Sequence, residues 1–161
     1  MNVKTIFAAL ITTGLLSGSL SAAVPAQAAK KAASAAGHTV ELTADDTMKY
    51  SVTTINAKPG EQITVKLTNK GTMPKMAAAH NFVLLKKGTD LNAFTTAAVM
   101  AGQTDYVPAK FKDQIIASTK LAGPGETVQV SFKAPTAPGE YQYICSFPGH
   151  FATMKGNLIV K

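Results

Sequence analysis

The segment Cys145-Ser-Phe-Pro-Gly-His150-Phe-Ala-Thr-Met154 carries a thiol, an imidazole and a thioether within ten residues. Cys145 is the one cysteine of the chain. A thiolate, an imidazole and a thioether form a soft donor set suited to copper, with zinc as the usual competitor. Three donors on one loop need a fourth from elsewhere. The chain has three histidines, His38, His80 and His150. His38 has no neighbouring donor, whereas His80 opens the strand-like run His80-Asn81-Phe82-Val83-Leu84-Leu85. The candidate set is therefore His80, Cys145 and His150, with Met154 as a weak axial ligand. Two imidazoles, one thiolate and a long thioether contact are the donors of a mononuclear copper site that passes single electrons.

Each residue taken alone has a plainer reading. A cysteine at a strand end or a methionine near a last strand is ordinarily core, and a histidine after Pro-Gly is ordinarily an exposed loop residue. The combination argues against that reading. A lone thiol in an oxidising compartment has no internal partner and must be buried or engaged.

Export is expected from residues 1–28. They hold Lys4, an apolar run from Ile6 to Leu16, and a small-x-small ending at Ala26-Gln27-Ala28, the pattern of a secretory signal peptide. The competing reading is an uncleaved N-terminal anchor. Residues 29–37 are Ala-rich and read as a frayed tail. No apolar run in residues 38–161 is long enough to span a membrane. These expectations place a soluble, monomeric protein in the periplasm.

The positions around the loop alternate. Ile63, Val65 and Leu67 face one way in Gln-Ile-Thr-Val-Lys-Leu-Thr, and Val128, Val130 and Phe132 do so in Glu-Thr-Val-Gln-Val-Ser-Phe-Lys. Further β-branched or alternating runs occur at 38–42, 50–55, 80–85, 113–119, 140–145 and 156–161, separated by Pro/Gly turns. The fold class is all-β: a Greek-key, two-sheet antiparallel β-sandwich of about eight strands. Residues 86–113 interrupt the rhythm and are long for a hairpin loop; within them 89–102 carry a Thr or Asp cap, several alanines and Gly102 as a stop, so the stretch reads as a helical flap between strands. Tyr141, Tyr143 and Cys145 share one strand face, expected to be the inner one. The terminal loop then lies between two adjacent strands, at one end of the sandwich.

The formal charge is +7, carried by lysine with no arginine. Arginine is the usual reader of base edges and phosphates, so a nucleic-acid partner is not expected. The positive field can steer an acidic partner.

The text Tyr141-Gln-Tyr-Ile-Cys-Ser-Phe-Pro-Gly-His-Phe-Ala-Thr-Met-Lys-Gly156, with its Cys-x4-His-x3-Met spacing, resembles the ligand loop of the cupredoxins, most specifically the azurins. Ala79-His80-Asn81-Phe-Val-Leu-Leu85, Asn69-Lys-Gly-Thr-Met-Pro-Lys75 and Thr119-Lys-Leu-Ala-Gly-Pro-Gly-Glu126 are similar to other azurin segments, and the likeness runs over residues 38–161. The resemblance implies one type 1 copper held by His80, Cys145 and His150, with Met154 axial. It adds a second weak axial contact from the carbonyl of Ala79, where azurins typically carry glycine. It implies backbone N–H donation to the thiolate from Asn81 and Phe147. It also implies docking of redox proteins, such as cytochromes, on an apolar collar of Met73, Pro74, Ala78, Phe147, Pro148, Phe151 and Ala152, with the His150 edge as the electron port. Asn69 and Ser118 fall about where azurins often have further histidines. The azurin disulfide is absent, which leaves azurin proper and an auracyanin-like branch both open.

Four function readings compete. An electron carrier and a copper carrier or buffer would use the same ligands. A copper enzyme would need a second copper site, and only His38 remains for it. A structural sandwich would hold the thiol as core.

Overall fold

Ile63, Val65 and Leu67 have no exposed surface, while Gln62, Thr64, Lys66 and Thr68 between them are half-buried. That alternation builds β3 (Gln62–Asn69), the central strand of a three-stranded sheet ordered β1-β3-β6. β1 is His38–Ala44 and β6 is Thr127–Lys133. A five-stranded sheet, ordered β2-β8-β7-β4-β5, faces it. Its strands are β2 (Thr54–Ala57), β4 (Val83–Leu85), β5 (Ile115–Ser118), β7 (Gly139–Ile144) and β8 (Lys155–Val160). The computed structural model describes residues 37–161. The expected leader and all but Gly37 of the expected tail lie outside the described residues.

The expected sandwich of eight strands is present, with one difference in pairing. β3–β6, β4–β5, β4–β7 and β7–β8 are antiparallel, but β1–β3 and β2–β8 are parallel, so both sheets are mixed. Side-chain alternation has the same period in either direction and cannot tell them apart. The crossover that a parallel pair needs is supplied by a strand of the opposite sheet: the chain leaves β1, runs through β2 on the other sheet and returns as β3.

The core between the sheets holds Leu42, Leu67, Phe82, Leu84, Tyr143, Met154 and Leu158, all 0–1% exposed. A second apolar cluster lies on the other face of the larger sheet, where Val83, Leu85 and Ile144 pack with Phe94, Ala98 and Phe111. The rings of Phe94 and Phe111 meet edge to face, 5.3 Å apart. A short helix, α1 (Lys75–Ala78), precedes β4, and Phe94 and Ala98 belong to α2 (Leu91–Val99), the helix of the flap. This explains the unbroken apolar run of 82–85, since a strand buried on both faces shows no alternation. As expected, Tyr141, Tyr143 and Cys145 face the main core, while Ile144 faces the flap. Gly156 sits where β8 passes Tyr143. A Cβ there would lie 2.3 Å from the Tyr143 ring and 2.6 Å from the Thr53 carbonyl, so only glycine fits.

α2 starts as expected at Asp90, whose side chain accepts from the Ala93 N–H at 3.0 Å. Its end differs from expectation. Met100 closes the helix, with its N–H on the Ala97 and Ala98 carbonyls, and Gly102 opens a short 3-10 turn instead. The left-handed residues of the flap are Asp105 (φ 56°) and Tyr106 (φ 59°). Asp90→Ala removes an N-cap and is expected to cost about 1 kcal/mol. A lowered denaturation midpoint at unchanged slope would show it; an unchanged midpoint would mean that packing of Phe94 alone holds the helix.

Candidate metal centre

His80 lies just ahead of β4 rather than within it. It is fixed by a two-way backbone bridge: the His80 N–H donates to the Ala122 carbonyl at 3.1 Å, and the Ala122 N–H donates back at 2.7 Å. Asn69 braces this bridge. It occupies an inward position of β3 where the alternation calls for an apolar residue, and it is fully buried. Its side-chain N–H groups reach the Ala122 carbonyl at 3.0 Å and the Ala78 carbonyl at 3.4 Å, and its Oδ1 accepts from the Gly71 N–H. A buried amide satisfied on both ends is a rigid clamp.

The other donors come from the connection between β7 and β8, which closes on itself through its backbone. The Cys145 N–H donates to the Met154 carbonyl at 3.0 Å, and the His150 N–H to the Phe147 carbonyl at 3.1 Å. The Met154 N–H donates to the His150 carbonyl at 2.8 Å. Gly149 takes φ 83°, a conformation that suits glycine, and turns the chain into His150. Met154 is fully buried, in the same core cluster as Cys145, Ala79 and Phe147.

The fold brings three of the expected donors together across the sandwich. The ligand atoms of His80, Cys145 and His150 all lie within 4.8 Å of one another. Cys145 Sγ is 3.7 Å from His150 Nδ1. The two imidazole rings are 5.1 Å apart, centre to centre. One ion bonded at about 2.05 Å to a nitrogen and about 2.3 Å to a sulfur, about 120° apart, would hold them about 3.8 Å from each other, close to the Cys145 Sγ–His150 Nδ1 distance. His38 is remote from this group, at the start of β1, with Nδ1 3.9 Å from a Glu61 oxygen.

The electrostatics suit a bound cation. Both ring nitrogens of His80 are buried and have no hydrogen-bond partner among the described residues. Buried polar atoms are seldom left so, because the desolvation is uncompensated. Burial holds His80 below the usual imidazole range; the Asp45 carbonyl opposes this but makes no hydrogen bond of good geometry with the ring. Burial also brings His150 down to about 4, assisted by His80. Both rings are neutral at pH 7, with lone pairs free to bind metal. Burial pushes the Cys145 thiol up to about 11, while the backbone N–H groups of Asn81 and Phe147 act in the opposite direction. A metal would convert this thiol to thiolate. The residues present therefore fit copper.

The two donor segments are tied together by Asn81. Its Oδ1 accepts from the Ser146 N–H at 2.8 Å, and its side-chain N–H groups reach Ser146 Oγ and the Asp105 carbonyl, each at 2.8 Å. Ser146 and Asp105 carry no sequence signal for this role, since a serine beside a cysteine and an aspartate in a flap are unremarkable in one dimension.

Of the expected collar, Met73, Pro74 and Ala152 are exposed, and Pro148 and Phe151 are half-buried. Ala78 and Phe147 are instead buried, at 4% and 7%. Phe147 lies against the His150 ring, with centroids 4.7 Å apart, which is why it turns inward. His80, Cys145 and Met154 have no exposed surface, whereas His150 keeps 4%.

Residues 24–161 match the family model described as copper binding proteins, plastocyanin/azurin family. The azurin of Achromobacter denitrificans is 41% identical over 121 residues, 73% of this chain and 80% of that protein. Azurin-2 of Alcaligenes xylosoxydans xylosoxydans is 44% identical over 118 residues, 71% of this chain and 90% of that protein. The dithionite-reduced auracyanin of Roseiflexus castenholzii superposes with a TM-score of 0.68 at 35% identity, over 78% of this chain and 98% of its own. With the sandwich and the His-Cys-His cluster already in place, these likenesses make the chain a member of the plastocyanin/azurin family of copper-binding proteins.

Proposed function

We propose that this protein is a blue-copper electron carrier that passes single electrons between redox partners and is not an enzyme. The observation that carries the reading is His80: two partnerless buried nitrogens in a cluster with a thiol and a second neutral imidazole. His80, Cys145 and His150 would hold the ion, with Met154 as the weak axial ligand. Ala79 would offer its carbonyl as a further weak contact. It is fully buried, and its extended backbone (φ −91°, ψ 158°) is ordinary for alanine, so its methyl imposes no strain. Copper would supply the one-electron chemistry by alternating between its +1 and +2 states.

The chain's own residues supply the rest. Burial of His80, Cys145 and Met154 excludes water, so little solvent reorganises when charge changes. The Ala122 bridge and the Asn81 bonds hold both donor segments in place. The amides of Asn81 and Phe147 lower the cost of negative charge on Cys145. His150 is the one donor of the four with any exposed surface, and Ala152 in the same turn is exposed, which makes His150 the port for partners. Small apolar contacts of this kind suit weak electron-transfer complexes, including those with cytochromes.

Among the described residues no helix is long and apolar enough to cross a membrane. The leader-like residues 1–28 support export to the periplasm, and the protein is proposed to act as a monomer. Fractionation that finds the product uncleaved and membrane-bound would overturn that part.

The test of function is a Cu(II) titration of the purified protein, followed by visible absorption and by reaction with a reduced cytochrome. An intense blue band saturating at one copper per chain, and rapid reversible one-electron exchange, are expected. A blue protein that exchanges electrons slowly would instead be a copper carrier. A colourless one would leave Cys145 as core.

A further inference from the structure

Asp105 and Tyr106 are consecutive non-glycine residues in the left-handed region, at φ 56° and 59°. The Cβ of such a residue crowds the following carbonyl oxygen, and an aromatic residue is uncommon there. Strain of this kind persists where surrounding contacts over-determine it. Apart from one backbone bond within the flap, the contacts that hold this turn lead toward the candidate metal centre. The Asp105 carbonyl accepts from Asn81 Nδ2 at 2.8 Å, and its carboxylate accepts from the Leu121 N–H at 3.3 Å, one residue before the Ala122–His80 bridge. The Tyr106 N–H is held by the Ala101 carbonyl at 2.9 Å. The Tyr106 ring meets Phe147 edge to face, with centroids 5.0 Å apart and planes at 67°.

The backbone N–H groups of Asn81 and Phe147 are what oppose the effect of burial on the Cys145 thiol, and the Asn81 side chain also holds the Ser146 N–H, next to Cys145, at 2.8 Å. One flap turn thus grips both of them from outside, Asn81 by a hydrogen bond and Phe147 by its ring.

We infer that the Asp105–Tyr106 turn of the flap is a positioning element for the metal centre, which keeps Asn81 and Phe147 in register with Cys145 and so sets how strongly the thiolate is stabilised. This rests on the reading of Cys145 as the copper thiolate. The flap then has a role beyond covering the outer sheet face. The physical chain is short. Backbone N–H dipoles stabilise negative charge on sulfur, and the reduced site carries one more negative charge than the oxidised one. Loosening those dipoles disfavours the reduced form.

Two double variants test it. Asp105→Ala with Tyr106→Leu removes the carboxylate contact and the ring edge. Asp105→Asn with Tyr106→Phe keeps a side-chain acceptor, a residue tolerant of positive φ and the ring. The first readout needs no copper. In the metal-free protein, hydrogen exchange at the Asn81 and Phe147 amides is expected to quicken about tenfold or more in the first variant. It should stay at the wild-type rate in the second, and the Val65 and Leu67 amides of β3 should be unchanged in both. The second readout is the copper-loaded midpoint potential. The first variant should shift the equilibrium about tenfold toward the oxidised form, about 59 mV for one electron, and the second should restore it.

Equal quickening at β3 and at the site would mean general destabilisation and would overturn the inference. So would unchanged exchange and potential in the first variant. If the wild type binds no copper in a Cys145-dependent way, the proposed function fails. The exchange measurement then still decides whether the flap positions the two amides.

Discussion

His80→Leu is expected to stabilise the metal-free protein by about 1–3 kcal/mol while lowering its copper affinity more than about a hundredfold. The gain comes from the two ring nitrogens, which are buried without a partner until a metal meets them. Leucine is close in volume and brings no polar atom to desolvate. The backbone bridge to Ala122 does not use the side chain, so the strand geometry survives. Copper should reverse the ranking. A ligand at a thousandfold its dissociation constant adds about 4 kcal/mol to the folded state, and the variant would gain almost none of it. Denaturant unfolding with and without copper measures both arms. If metal-free His80→Leu is markedly less stable than wild type, the imidazole is a packing element and not a donor kept at a cost. Cys145→Ser is the companion experiment: it should fold, yet lose the intense visible band.

That trade shows why the site was legible in one dimension while much of its support was not. Cys145, His150 and Met154 sit on one short loop, so their spacing alone proposes a donor set. His80 follows by elimination among three histidines. Alternation in β3 and β6 shows which side chains face inward, because a half-buried strand must alternate. The same alternation is silent on strand direction, and the parallel pairs β1–β3 and β2–β8 came only with the structure. The apolar run at 82–85 likewise marks burial without saying that the flap covers one of its faces. Asn69 was harder still. It breaks the inward series of β3 at its last position, a departure that reads as a strand end until its hydrogen bonds to the Ala78 and Ala122 carbonyls are seen. Asp105 and Tyr106 act through backbone conformation, which side-chain identity signals poorly outside glycine. Phe147 reads as a collar residue because it lies on the loop at one end of the sandwich, whereas it is 7% exposed. Its contact with His150 is long-range in effect though short in sequence.

The metal-free protein is expected to be most stable between about pH 6.5 and about pH 9, with two arms of separate origin. On the acid side, His150 titrates near 4 in the folded state against 6.5 for the free residue. As pH falls through that interval the unfolded chain takes up a proton that the folded chain refuses. Stability therefore falls with pH, by at most about 3 kcal/mol, and His80 adds to the same arm. On the alkaline side, Cys145 ionises near 11 when folded and near 9 when free. Above pH 9 the unfolded chain loses a proton that the folded chain keeps, and stability falls again. His150→Gln should flatten the acid arm, and Cys145→Ser the alkaline one. The same protonation states fix what loading must do. At pH 7 both imidazoles are already neutral and the thiol is protonated, so binding through His80, Cys145 and His150 should release about one proton per copper. Titration in weakly buffered solution reads that number directly. A release near zero would mean that the thiol keeps its proton and that Cys145 is no ligand, however close it lies to the two histidines.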